Sequence, residues 1–519
     1  MTDFFLPLLA PLVFALVAVM ASFSPGKRPL WLLRTAEIAG LAAIAISVAS
    51  IVQLAVLGQG TSPVLGFGEI GLSIRLDAVS VTMLAMIAVI GWAVLRYSSR
   101  YLDGEERQGA FIGWMAATLA AVLLLVLAGN LLHLVAAWIG TSLCLHRLLL
   151  FYPERLQAIR GARKKFIVAR LSDGALAGAA ILLWASYETP DLASILAQAR
   201  AGAAPAEALV ATGLLAFAAV LKSVQFPTHG WLTEVVDTPT PVSALLHAGV
   251  VNGGGFLLVR FADVMLLSPG VLAVLVMIGG FSALLGGLAM LAQPAVKNSL
   301  AWSTIAQMGF MIMQCGLALF PLALLHIVAH SFYKAHAFLS SGSAVEVVVS
   351  VRRPGPIAVP SGQNVATAFA LALAIYAAIG ALFGLGDKTP QAIGLGAILV
   401  FGVAYLLAQG LADKAPRELT RQTAFYSVLA SLGYFGLQRG SEWLTANTLP
   451  ATPMPGPLEW TLIALAVASF GLVAIAQALF PVWATHPAAA GLRVHLSNGL
   501  YANAVFDRLV GNWSTTKTR

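Results

Sequence analysis

The sequence predicts an all-α polytopic membrane protein of about 14–15 transmembrane helices. Three observations carry this: the composition, the number of long apolar windows and the placement of basic residues. Apolar residues make up 59% of the 519, charged residues only 10%, and the mean hydropathy is +0.86. Soluble domains carry about 25% charged residues, whereas a membrane span needs about 20 predominantly apolar ones. The net charge of +8 does not point to nucleic acid. The basic residues lie mostly in short loops, where they set orientation.

Taken in order, spans are expected at 4–22, 31–57, 78–97, 111–128, 130–151, 165–186 and 208–224, the last with a broken continuation to 237. They continue at 240–262, 268–292, 296–317, 320–345, 364–386, 391–411, 418–437 and 458–481. Asp3 is the only charge flanking the first span, so a cleaved signal peptide with a basic n-region is not expected. The stretch 58–77, with its glycines and the run LSIRLD, is too polar to span and reads as an extracytoplasmic hairpin. The 418–437 span is the most polar, beginning with Arg421 and Gln422. The tail, 485–519, is amphipathic and suits the membrane interface or a neighbouring protein. Cys144 and Cys315 fall in apolar windows and read as buried thiols without a disulfide framework.

Loop charges order these spans. Loops after the first, third and fifth hold Lys27, Arg28, Arg100, Arg107, Arg155, Arg160, Arg163, Lys164 and Lys165, while those after the second, fourth and sixth hold Arg75 and Arg200. Lys297, Arg352, Arg353, Lys414 and Arg417 fall on the first side. Because basic loops stay cytoplasmic, the N-terminus is expected outside and the C-terminal tail inside, as in a bacterial inner-membrane protein. Four regions follow: 1–110 with the first three spans and the hairpin, 111–262 and 263–411 as two inverted five-helix repeats, and 412–519 with the last spans and tail. Such repeats, with a broken helix at the seventh span, typify transporters.

The residues able to carry chemistry cluster around that break. Lys222 is followed five residues later by Pro227, which removes a backbone donor and breaks the helix. A lysine there reads as a proton carrier, or as an end-of-helix residue that snorkels to the interface. Glu234 and Asp237 follow at i, i+3; they balance the lysine, hold a proton, or are ordinary loop carboxylates. His247, six residues after Pro241, can relay protons through either ring nitrogen, or is a satisfied core histidine. His326, His330 and Lys334 lie at i, i+4 and i+8 and share one helical stripe. Three ionisable groups inside one span are expensive, which favours a proton or water pathway. A zinc site at two histidines lacks a completing Cys or carboxylate nearby, so no metal or cofactor is expected on this chain. Arg170 and Asp173 at i, i+3 read as a structural ion pair, and Lys297 reads as a relay or a helix-end charge.

These motifs together resemble a known family. KSVQFPTHGWL, PTPVSALLHA, LLVR, KNSLAWSTIAQMGFM and HIVAHSFYKAHAFLSSGS, preceded by SIRLDAVSVTMLAMI and KKFIVARLSD, look like the antiporter-like membrane subunits. That family spans the large proton-pumping subunits of respiratory complex I, Mrp sodium/proton antiporter subunits and membrane hydrogenase subunits. It also includes the membrane subunit of DAB-type inorganic carbon accumulation complexes. The resemblance covers residues 70–345 and, more weakly, the tail. It implies that Lys222 is a central proton carrier and that His247, His326, His330, Lys334 and Lys297 continue the ion path.

Two departures narrow the choice. The glutamate that other members carry after the span-five tryptophan is replaced by Ile139, and the run 364–386 contains no ionisable side chain. The resemblance then implies a DAB-type membrane subunit. Its partner would be a cytoplasmic, zinc-bearing, carbonic-anhydrase-like protein (DabA), driven by proton or sodium flow through this chain. The alternatives are a pump or antiporter subunit of a complex I, hydrogenase or Mrp assembly, and an ion-silent membrane anchor for a soluble enzyme.

Overall fold

A computed structural model describes residues 4–343, 361–411, 416–479, 483 and 486–510. All fifteen expected spans are helices. They are α1 (Leu6–Ser22), α2 (Leu30–Leu57), α3 (Ala78–Tyr101), α4 (Gln108–Leu127), α5 (Leu131–Leu149), α6 (Leu156–Tyr187), α7 (Ala206–Lys222) and α8 (Thr240–Arg260). The rest are α9 (Pro269–Leu291), α10 (Val296–Gly316), α11 (Phe320–Leu339), α12 (Gly362–Leu382), α13 (Pro390–Gly410), α14 (Arg417–Thr445) and α15 (Pro457–Ala478). Among the described residues, ten are long and apolar enough to cross a membrane alone. The other five, α1, α7, α10, α11 and α14, are short or interrupted by polar residues. Arg352, Arg353 and Lys414 lie outside the described residues.

Residues 58–77 form the expected hairpin. Strand β1 (Gly60–Thr61) pairs antiparallel with β4 (Arg75–Leu76), and β2 (Leu65–Phe67) with β3 (Ile70–Leu72). It leads into Asp77, which caps α3 through a reciprocal hydrogen-bonded box with Ser80. Asp77 also binds Arg75 Nε at 2.6 Å and Arg260 Nη1, at the end of α8, at 2.5 Å. Burial alone would raise this carboxyl. The two guanidiniums overcome that and hold it well below the usual carboxylate range.

Among the described residues, contacts between connections follow an alternating topology with two faces. On the first face, Arg28 pairs with Asp103 at 2.8 Å, and Gln293 Nε2 donates to Ser497 O at 3.2 Å. The tail docks on this face as α16 (Pro487–Ser497) and α17 (Ala502–Val510). On the opposite face Arg200 binds Asp263 at 2.8 Å and reaches Thr448 O, while Thr452 Oγ1 donates to Ala318 O. Loops that an alternating topology assigns to one side therefore meet one another.

A continuous apolar core joins α1 through α11; a second links α12, α13 and α14, and a third seats α13 and α15 on α9 and α10. Two details depart from expectation. Cys315 is fully buried, but Cys144 is only partly so. And α8 is itself interrupted: its α-helical turns stop at Ala248, a 3-10 turn spans Val250–Asn252, and helix resumes at Gly253. The bundle thus has two adjacent breaks, at the end of α7 and in the middle of α8.

Candidate functional site

The two breaks touch. Helix α7 ends at Lys222, and Val224 takes a left-handed conformation (φ 59°), a costly state for a β-branched residue. The triglycine start of the second half of α8 packs on that end. A Cβ on Gly254 would lie 2.3 Å from both Ala219 O and Ser223 Oγ, so only glycine allows this approach.

Lys222 projects over Trp138 of α5, with Nζ 4.3 Å from the ring centroid, a cation–π contact. Among the described residues no carboxylate lies within 4.0 Å of its ammonium. The carboxylate whose charge acts on it most is Asp173 of α6. Ser172 Oγ donates to Ala218 O at 2.9 Å, which fixes α6 beside the end of α7. Asp173 is held by Arg170 Nη2 at 2.6 Å. Lys165 completes the group. Its Nζ donates to Ser142 O at 2.6 Å and Ser142 Oγ at 2.9 Å, and a small cavity of about 20 Å³ lies between Ser142, Lys165, Lys222 and Trp231. That is room for about one water. Three basic side chains, Lys165, Arg170 and Lys222, thus share one carboxylate in an apolar bundle.

The second polar group starts on the other side of the α8 break. His247 is buried, stacks on Phe338 at 4.3 Å and bonds through Nδ1 to Thr304 Oγ1 of α10 at 2.9 Å. Because the Thr304 hydroxyl donates to Leu300 O at 3.0 Å, it accepts from His247, which places the His247 proton on Nδ1. Lys334 Nζ donates to the same Leu300 carbonyl at 3.0 Å. His247, Thr304, Leu300 and Lys334 therefore form one connected chain. His330 lies one turn from Lys334, and its ring is 6.1 Å from that of His326, whose Nδ1 meets Gln314 Oε1 at 2.8 Å.

The structure thus gathers Lys222 with Asp173 and Arg170, and His247 with Lys334, His330 and His326. Glu234, Asp237 and Lys297 lie elsewhere, toward the tail. Glu234 accepts from Lys164 and from Asn503 of α17, both at 2.6 Å, rather than from Lys222. The main-chain carbonyl of Asp237 accepts from Arg155. Lys297 donates to Thr240 Oγ1 at 3.1 Å. Sequence reasoning missed Lys165, which a count of loop charges absorbs; its spacing of eight residues from Asp173, about two helical turns, is the signal that finds it. Thr304 and Trp138 have no signal except their place in the SLAWST and AAWIG runs.

Comparison with known proteins shows the family. The profile described as NADH:quinone oxidoreductase/Mrp antiporter, TM matches residues 128–380, and that described as NADH-ubiquinone oxidoreductase (complex I), chain 5 N-terminus, matches 65–112. A probable inorganic carbon transporter subunit DabB2 of Halothiobacillus neapolitanus is 38% identical over 463 residues, 88% of this chain and 83% of its own length. A probable inorganic carbon transporter subunit DabB of Hydrogenovibrio crunogenus is 43% identical, over 53% of each chain. NADH-quinone oxidoreductase subunit L of Escherichia coli is 36% identical over 53% of this chain and 46% of its own. A chain of the Mrp complex from Dietzia sp. DQ12-45-1b shares the fold, with a TM-score of 0.62 at 24% identity over 98% of this chain and 60% of that one. The chain belongs to the antiporter-like, ion-translocating membrane subunits shared by complex I and Mrp antiporters, and within them it groups with the subunits named DabB.

Proposed function

We propose that the chain is the ion-conducting membrane subunit of an inorganic carbon accumulation complex. Protons, or sodium ions, move down their gradient through it and drive directional conversion of CO2 to bicarbonate on a cytoplasmic, zinc-bearing, carbonic-anhydrase-like partner. The chain sits in a bacterial inner membrane with its N-terminus outside and its tail in the cytoplasm. The tail-side loops and α16–α17 are then the docking surface for the partner. The observation that carries the ion-conducting part is the pair of polar clusters meeting at the broken α7 and α8 inside an apolar bundle, where unpaired charge is expensive. The carbon-accumulating part rests on the likeness to the DabB subunits.

In this reading Lys222 Nζ holds the transported proton or its charge equivalent. Asp173 takes the role of the carboxylate missing at Ile139, with Arg170 limiting how strongly it pairs. Protonated and neutral lysine then differ little in energy, which is what a relay needs. His247, Thr304 and Lys334 converge on the Leu300 carbonyl. A protonated His247 reaches a neutral Lys334 when the Thr304 hydroxyl turns from Leu300 O to Lys334 Nζ, giving its proton there as it takes one from His247 Nδ1, and the His330–His326 pair continues the line. A pump or antiporter subunit is the second reading, favoured by the match to subunit L; the uncharged α12 speaks for the first. Co-purification with metal analysis, and bicarbonate uptake in a carbonic-anhydrase-deficient host, test the proposal together. Zinc is expected in the co-purified partner, and uptake is expected to stop when proton and sodium gradients are collapsed. Uptake that survives both ionophores contradicts it.

A further inference from the structure

The stripe on α11 ends in open space. A cavity of about 560 Å³ lies between α10, α11, α13 and α14. Its walls are mostly apolar, yet Nε2 of His326, Nε2 of His330 and the Tyr434 hydroxyl border it without a hydrogen-bond partner. Polar atoms left unpaired in a protein interior are unfavourable, and water entering the cavity beside these three can satisfy them. Leu322, one turn before His326 and almost fully buried, lines this cavity and also a second one of about 360 Å³. The second cavity sits on the face opposite the tail, among the ends of α11, α13 and α14. Asp387, Lys388, Arg439 and Glu442 border it. Lys388 Nζ lies 3.2 Å from Glu442 Oε2, and Gln438 Nε2 donates to Glu442 Oε1 at 2.9 Å. The Lys388 side chain is 5% exposed and that of Glu442 36%, so the lysine is sheltered while the carboxylate is open to the vestibule.

We propose that the path opens to the face opposite the tail through this vestibule. Glu442 is the site where a monovalent cation, hydronium or sodium, first binds, and Leu322 is the constriction between the vestibule and the histidine-lined cavity. Lys388 occupies the Glu442 carboxylate when no ion is present, so ion binding and the internal pair compete. The charges come from the α12–α13 turn and from α14, which accounts for an α12 without ionisable side chains. This opening rests on the ion-conducting reading of Lys222.

The test places Leu322→Cys in a Cys144→Ser chain, assembled with its partner, in membrane vesicles of both orientations. Cys315 is buried and stays. A membrane-impermeant cationic thiol reagent is applied to one face at a time, and modification is read as a mass shift on the chain. Modification from the face opposite the tail, and none from the tail face, is expected, with uptake lost on modification. No modification from the opposite face, or modification from the tail face alone, overturns the proposal. Glu442→Gln is the companion variant. It is expected to raise the coupling-ion concentration needed for half-maximal uptake several-fold, with Glu442→Asp restoring it; an unchanged ion dependence overturns the assignment of Glu442. The mass shift needs no transport. An inert Leu322→Cys beside an inactive Lys222→Ala therefore refutes this opening alone, whereas a fully active Lys222→Ala refutes the ion path itself.

Discussion

Asp173 is the residue whose role changes most between sequence and structure. Read along the chain, Arg170 and Asp173 form a helix-surface pair at i, i+3. Placed in the bundle, Asp173 is the carboxylate nearest in effect to Lys222, across the Trp138 indole. Asp173→Asn therefore leaves three basic side chains with no counter-charge, and uptake should fall toward background while the complex still assembles. Unchanged uptake in this variant would remove Asp173 from the ion path. Asp77 has a different task. It sits between Arg75 and Arg260 and fastens the hairpin and α3 to the end of α8. Removing one partner of such a buried pair costs about 3–5 kcal/mol, so Asp77→Asn should lower the thermal midpoint in detergent markedly. The depressed carboxyl also gives the sign of the acid response. Its stabilisation is complete above the ordinary carboxylate range and is lost as pH falls through the lower, folded-state value.

At the scale of elements, the paired breaks depend on close approach. Gly254→Ala forces a methyl against Ala219 O and Ser223 Oγ. Such overpacking costs about 1–3 kcal/mol, and here it also displaces the turn that carries Lys222. Uptake should fall more than stability does; a fully active Gly254→Ala would show that the approach is not needed. The break at α7 was legible because Pro227 follows Lys222 within five residues. The break in α8 was not. Gly249 stands in an apolar run with normal helical periodicity, and the interruption comes from packing against α7 rather than from a proline. The hairpin at 58–77 and all fifteen helices were legible for the converse reason: apolar length and turn residues are local properties. Glu234 was not. Its partners Lys164 and Asn503 lie 70 and 269 residues away, and one of them is on the tail.

At the scale of the molecule, the polar residues form a line across the bundle rather than along one helix. It runs from the Lys165–Asp173–Lys222 group, past the α8 break, through His247 and Thr304 to Lys334 and the two histidines. The tail helices close the opposite end against Lys164, where Asp507 lies at 2.5 Å. Asp507→Ala should loosen the tail, so proteolysis of the tail should speed up; an unchanged rate would show that the pair with Lys164 does not hold it. In the proposed mechanism every part of the line serves to load or unload Lys222. The most direct test is radiolabelled bicarbonate uptake by Lys222→Ala, expressed with its partner in a carbonic-anhydrase-deficient host, with assembly checked by co-purification. The expected result is an intact complex whose uptake has dropped to background. Full uptake by the assembled variant would contradict the account.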